Sequence, residues 1–236
     1  MKKRYWWVIL TYIIMQFSVP ILVLTLGITH EPTIIYLSVL SFILGLIIVL
    51  WLMKPDMKVH HVRSSQRSKQ IVTWSIIGFF LAYFAQLISV VIESSLFGIA
   101  PGSENTQFIM EITRTMPIFM IIPAIVAPIL EEVIFRKIIF GTLYTRSNFW
   151  IAAILSSFIF GLIHQEFEHI LIYTSMGFVF AFLYVKTKSI LTPIIVHIGL
   201  NSFSIIMQYS LDPEDFERMR QQWENIQTIL IVLIGG

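Results

Sequence analysis

Within the stretch APILEEVIFRKIIFGTL, residues 127 to 143, two adjacent carboxylates, Glu131 and Glu132, and two bases, Arg136 and Lys137, interrupt an otherwise apolar run. Two later stretches carry isolated polar groups in the same kind of setting. FIFGLIH places Phe160 four residues before His164, and HIGLN places His197 four residues before Asn201. A glutamate is a general base for water, a histidine shares that role or binds a metal, and a histidine–asparagine pair donates hydrogen bonds to an oxyanion. Glu132 and Arg136 stand at i and i+4 and meet on one helix face, whereas Glu131 points about 100° away from Glu132. One carboxylate is thus expected to be held by the arginine while the other faces a cavity. Taken singly, each group also fits a structural role: an ion pair locking a bundle, or an interhelical hydrogen bond. Taken together, ionisable residues inside a membrane are functional by default, and here three separate helices bring complementary chemistry. The residues alone point to an activated water and do not choose its substrate.

The elements that must position these groups follow from composition. The 236 residues are 56% hydrophobic and 13% charged, with a mean hydropathy of +0.81, against about 25% charged in a soluble domain. The chain is therefore expected to be all-α, a polytopic transmembrane bundle of about eight helices forming a single membrane domain over residues 1–236. Apolar runs place spans near 6–28, 33–53, 71–92, 115–145, 148–164, 170–185 and 189–209, with a weak eighth near 223–236. The first run is longer than a signal peptide's apolar core and no small-residue cleavage site follows it, so it is expected to be retained. Pro193 loosens the last long span just before His197. With 1.5 Å per residue counted inward from the turn near Arg146, Glu131 lies ~21 Å deep and His164 ~25 Å, whereas His197, counted from Lys188, lies only ~13 Å deep. On that count Asn201 is nearer the other groups than His197 is.

Alternating the spans from a cytoplasmic N-terminus puts thirteen of the sixteen Lys and Arg residues on the inner side, the bias that sets membrane orientation. Trp6, Trp7, Trp51, Trp74 and Trp150 stand near span ends as interfacial anchors. The basic loop 54–70 is expected to rest on anionic lipid headgroups, and 212–220 to be a solvated face. His30, His60, His61 and His169 are read as loop or interfacial residues. Glu166, Glu168 and His169 read as a polar turn, with gating of the site as the alternative. The net charge of +2 does not argue for nucleic acid, and the absence of cysteine excludes disulfides, a thiolate nucleophile and Cys-ligated metal.

The three motifs occur in a fixed order: EExxxR as EEVIFR, FxxxH as FGLIH from Phe160 to His164, and HxxxN as HIGLN. In this order on successive helices they resemble the CPBP family of CAAX proteases and bacteriocin-processing enzymes, also called Abi, to which the type II CAAX prenyl endopeptidase belongs. The resemblance covers residues 115–205, a CPBP-like catalytic core. It implies an eight-helix bundle with a polar cavity open to the cytosolic side, and hydrolysis of a peptide bond by a glutamate-activated water. Carried onto this sequence, it makes Glu131 the base, with His164 helping to hold and polarise the water. His197 and Asn201 stabilise the oxyanion, Glu132 and Arg136 orient the neighbouring groups, and Phe160 shapes the cavity. It implies no cofactor. Together with the short termini it implies a bacterial cell membrane, membrane lipids as surroundings, and membrane-associated peptides or proteins as substrates, such as pheromone or bacteriocin precursors.

Other readings of the same residues remain. Glu131, His164 and His197 are three candidate zinc ligands with a position open for water, although the chain has no HExxH pair and Asn201 would then be idle. The cavity also suits a non-catalytic immunity or peptide-binding protein. A transporter fits less well, because no inverted repeat with paired broken helices is present.

Overall fold

In a computed structural model, residues 1–57, 65–100 and 102–210 are described, together with positions 218, 221, 222 and 225. The expected eighth span at 223–236, the acidic stretch 212–220 and the centre of the basic loop, with His60 and His61, lie essentially outside the described residues. The described residues up to 210 form eight helices: α1 (Lys3–Leu26), α2 (Glu31–Met57), α3 (Ser65–Phe97), α4 (Glu104–Thr115), α5 (Pro117–Tyr144), α6 (Phe149–Ile163), α7 (Ile170–Thr187) and α8 (Leu191–Ser210). The molecule is thus the all-α membrane bundle that its composition demands. Among the described residues six helices are long and apolar enough to cross a bilayer, and α6 is apolar but only 15 residues long.

One helix has no counterpart among the expected spans. α4 carries polar and apolar residues interspersed in ENTQFIMEITRT, so no apolar run marks it. Its start is nevertheless chemically specified: Ser103 is the N-cap and its side chain accepts from the Thr106 N–H at 3.0 Å. α3 also runs beyond the 71–92 stretch expected for it, since helix continues past the apolar core at both ends.

The site is positioned by α5. Half of its apolar window is buried against protein, compared with 22% in each of α1, α2 and α3, and it packs on α1, α2, α4, α6, α7 and α8. Leu130, Val133, Ile134, Phe135 and Ile138 on α5 share one core with Tyr5, Val8, Tyr12 and Met15 of α1 and Val49 and Met53 of α2. A second core joins α3, α7 and α8 through Ala82, Phe180, Leu183, Val196 and Leu200. α6 and α7 approach so closely that a Cβ at Gly177 would stand 2.9 Å from the Cβ of Ser157, the small-residue packing used where lipid supplies no hydrophobic drive between helices. The start of α1 is tied to the end of α2 by Asp56, which pairs with Lys2 at 2.8 Å and with Arg4. Large apolar side chains such as Trp6, Phe17, Leu24, Trp51 and Phe84 remain on the outside, as a bundle solvated by acyl chains requires.

Candidate active site

The local geometry begins with three prolines. Pro117, Pro123 and Pro128 each remove a backbone donor from α5. The ladder responds with a 3-10 turn over Pro117–Met120 and wide π turns over Ile122–Val126; an α turn follows over Ala127–Glu132, and π turns recur over the proline-free Val133–Phe140. Such π segments are frequent at functional sites. The Ala127 N–H goes to the carbonyl of Ile122, and Pro128 has no N–H to offer. The Pro123 carbonyl therefore needs a donor from elsewhere, and Asn201 on α8 supplies it, its Nδ2 donating at 2.9 Å.

Glu132 is fully buried and faces Arg136, also fully buried, with Nε and Oε2 3.2 Å apart. The i, i+4 ion pair read from the sequence is present. It is not aligned as a hydrogen bond, and among the described residues neither Glu132 Oε2 nor any guanidinium nitrogen has a hydrogen-bond partner. The guanidinium is enclosed by aromatic faces instead, 4.5 Å from the ring centre of Phe160, 5.2 Å from Phe180 and 5.9 Å from Phe135. That is cation–π contact in a desolvated setting.

Across from this pair, α8 presents His197, which is 2% exposed. Its Nδ1–H donates to Glu132 Oε1 at 3.0 Å, and its Nε2 stands 3.7 Å from Glu131 Oε2. The imidazole is stacked on Phe180 at 4.8 Å. Glu131 is the more open of the two carboxylates, its side chain 15% exposed. This placement of His197 corrects the depth count, which put it above the glutamates and Asn201 closer to them. The count treated α5 as a straight α-helix, whereas its π turns advance less per residue and shift the level of Glu131.

His164 follows the last turn of α6. Its Nδ1 donates to the Phe160 carbonyl at 2.8 Å, which leaves Nε2 as the ring's free nitrogen. The ring lies edge-on to Phe160 and stacked on Tyr173 at 4.0 Å. Phe160 itself is 1% exposed and touches His164, His197 and Arg136 together.

The structure thus brings Glu131, Glu132, Arg136, His197 and Phe160 into one cluster, sets His164 against Phe160, and uses one Asn201 N–H on the backbone of α5. Among the described residues no three His, Asp or Glu side chains are grouped as a metal ion would need, Glu131, His164 and His197 included. Sequence reasoning missed Phe180, Tyr173 and Pro123. The prolines were legible as breaks in the ladder. Phe180 and Tyr173 stand in apolar runs that carry no distinguishing signal. Lys137, beside the motif, turns away to Tyr184, 3.4 Å from its hydroxyl. Glu166 and His169 anchor the α6–α7 turn. Glu166 binds the start of α4, and His169 binds Glu93, whose Oε1 accepts the N–H groups of Leu171 and Ile172.

A partly open carboxylate, a histidine held by a second carboxylate and an imidazole on the neighbouring helix are groups whose chemistry can serve hydrolysis. Residues 113–203, which hold every motif residue, match the family described as Type II CAAX prenyl endopeptidase Rce1-like. The chain is 43% identical to a Bacillus subtilis (strain 168) protein named membrane peptidase YdiL, over 249 aligned residues that cover 100% of this chain and 99% of that one. It is 33% identical over 246 residues to the membrane-embedded CAAX protease MroQ of Staphylococcus aureus (strain USA300), covering 97% of this chain and 99% of that one. A shorter match, 34% identical over 80 residues, covers 34% of this chain and 44% of the UPF0177 protein YxdF of Lactococcus lactis subsp. lactis (strain IL1403). No solved structure matches the chain. With its apolar spans and these relatives, the chain is a multi-pass membrane peptidase and belongs to the Rce1-like CAAX endopeptidase family.

Proposed function

We propose that the chain is an intramembrane endopeptidase in which Glu131 activates a water against a peptide bond of a membrane-associated substrate. The observation that carries this reading is His197, held between the two adjacent glutamates: Nδ1 is fixed by Glu132 at 3.0 Å and Nε2 faces Glu131 at 3.7 Å. Glu132 is balanced by Arg136, so Glu131 is the carboxylate left for chemistry. With His197 protonated, the two carboxylates, the guanidinium and the imidazolium sum to zero charge, the arrangement least costly to bury.

The water sits between Glu131 and the free Nε2 of His164. As its oxygen bonds to the peptide carbon, its proton passes to Glu131. The new oxyanion accepts a hydrogen bond from His197 Nε2–H and from the second amide proton of Asn201, whose first is committed to Pro123. The cluster stays neutral, since the oxyanion replaces the charge that Glu131 has lost. When the carbonyl re-forms and the C–N bond breaks, Glu131 delivers its proton to the leaving nitrogen. No cofactor takes part. The excess of Lys and Arg on alternate loops supports a cytoplasmic N-terminus. The relatives' names and the family support a peptide with a membrane-embedded or lipid-modified segment as substrate, in the membrane of a bacterium.

The test is cleavage by purified, detergent-solubilised protein of a library of internally quenched peptides, each with a membrane-spanning segment and a varied juxtamembrane stretch. Wild type is compared with Glu131→Ala, with and without chelator. Cleavage that needs Glu131 and survives chelator is the expected result. Cleavage by the Glu131→Ala protein, or none by folded wild type across the library, would overturn the proposal.

A further inference from the structure

His164 is tied to its own helix by one bond, Nδ1–H to the Phe160 carbonyl, and nothing in that bond fixes the tilt of the ring. The ring is packed edge-on by Phe160 at 4.5 Å and stacked by Tyr173 on α7, with ring centres 4.0 Å apart and planes 23° from parallel. Tyr173 is in turn held at its far end, where its hydroxyl donates to Glu166 Oε2. Glu166 is bound to the start of α4. Its Oε1 accepts the backbone N–H of Asn105 at 2.8 Å, and the Ser103 hydroxyl donates to its two oxygens at 2.7 and 2.9 Å. Ser103 also caps α4, so the carboxylate sits on the exposed N–H groups and positive dipole end of that helix. Gln165, between His164 and Glu166, has φ of +60°, a conformation that costs a non-glycine residue energy and persists only when its surroundings enforce it. Burial opposes the charge of Glu166, yet the bonds from Tyr173, Asn105 and Ser103 outweigh it and hold the carboxylate below its ordinary range.

We propose that Tyr173 and Glu166 are positioning residues of the peptidase, a brace that sets the orientation of His164 and couples it to the seating of α4 (Glu104–Thr115). The inference rests on the proposed role of His164 as a holder of the attacking water. The brace has two separable parts. The stack fixes the plane of the imidazole, and the hydroxyl–carboxylate bond fixes the stack. Tyr173→Phe removes only the second part and keeps the ring, whereas Tyr173→Leu removes both.

The experiment measures kcat and KM for the best-cleaved quenched peptide in the full-length protein, with thermal unfolding in the same detergent. Tyr173→Phe is expected to lower kcat about tenfold, and Tyr173→Leu on the order of 10²-fold, the scale of a small misplacement of a catalytic group. KM is expected to stay within about twofold, because the change falls on orientation and not on uniform binding. Glu166→Gln should match Tyr173→Phe, and Glu166→Asp should recover part of the loss. In a His164→Ala background, Tyr173→Phe should cost nothing further, since coupled residues are non-additive. A lower melting temperature with unchanged kcat in Tyr173→Phe and Tyr173→Leu would make the contact a structural staple and overturn the brace. Additive losses in the His164→Ala background would overturn it too. If His164→Ala itself retains full kcat, the role of His164 in the mechanism fails and the brace fails with it; if His164→Ala is inactive while the Tyr173 variants are normal, only the brace fails.

Discussion

Two pairs of carboxylates in this molecule are treated in opposite ways. Glu93 and Glu166 sit where helices meet loops, and each is saturated. Glu93 accepts two backbone N–H groups at the start of α7 and faces His169 at 3.0 Å, and Glu166 accepts from Ser103, Asn105 and Tyr173. Glu131 and Glu132 sit inside α5, and neither is saturated. Among the described residues Glu132 Oε2 has no hydrogen bond, and the contact of Glu131 with His197 is 3.7 Å long. Buried polar groups that only hold a fold together are normally satisfied. Groups aimed at charge that develops during a reaction are held ready and incompletely engaged. On the proposed function, the contrast separates the carboxylates that build the bundle from those that the bundle is built to hold.

The largest effect expected from this contrast is on activity alone. Glu131→Gln, nearly the same shape, should lower cleavage by 10³-fold or more, within the usual span for loss of a general base of about 10²–10⁴, while the melting temperature stays at the wild-type value. The next effect is on stability. Arg136→Met leaves the charge of Glu132 buried with His197 as its one remaining partner among the described residues, and should cost about 3–5 kcal/mol by thermal unfolding. Adding Glu132→Gln should return most of that stability without returning cleavage, because His197 then lacks its carboxylate anchor. If the double variant cleaves normally, the pair belongs with the structural carboxylates and the contrast collapses.

The reciprocal change on the structural side is smaller. Glu93→Gln weakens the acceptor of two α7 N–H groups and should lower stability by about 1–3 kcal/mol, with kcat of the folded protein unaltered. The smallest effect is a pH dependence. The carboxylate of Glu166 is held below its ordinary range in the folded protein. Its contribution is therefore complete above the usual carboxylate pKa of about 4.3 and is lost only as pH falls through its own lower value. The Asn105 amide, measured by hydrogen exchange, should stay protected at pH 5 and lose that protection only in stronger acid. Loss of protection already above the ordinary carboxylate range would show that a group other than Glu166 governs the turn.

Much of the bundle was legible because lipid imposes a simple rule on sequence: apolar runs of the right length become helices. The core of the site was legible for a related reason. Glu131, Glu132, Arg136 and His197 stand out because charge is scarce in such runs, and the spacing from Glu132 to Arg136 alone set one carboxylate apart. α4 escaped notice because its mixed composition is ordinary for a surface segment. The level of His197 differs from a straight-helix count because Val133–Phe140, between Glu131 and the inner turn, wind as π turns that rise less per residue, and no residue type in that stretch marks them. The brace from α4 through Glu166 and Tyr173 to His164 spans 63 residues between Ser103 and Glu166. A contact between positions so far apart leaves no local pattern, and only the folded chain reveals it.

The hydrogen bond from Asn201 to the Pro123 carbonyl has a consequence for descent. That carbonyl lacks a helical donor because residue 128 is proline, so two positions 73 apart in sequence carry one shared constraint. A lineage that replaced Pro128 with a residue bearing an N–H would release Asn201 from backbone duty. Relatives without that proline are therefore natural variants of this site. If position 201 drifts in them, its value was architectural; if asparagine persists, its remaining amide proton is what selection has kept.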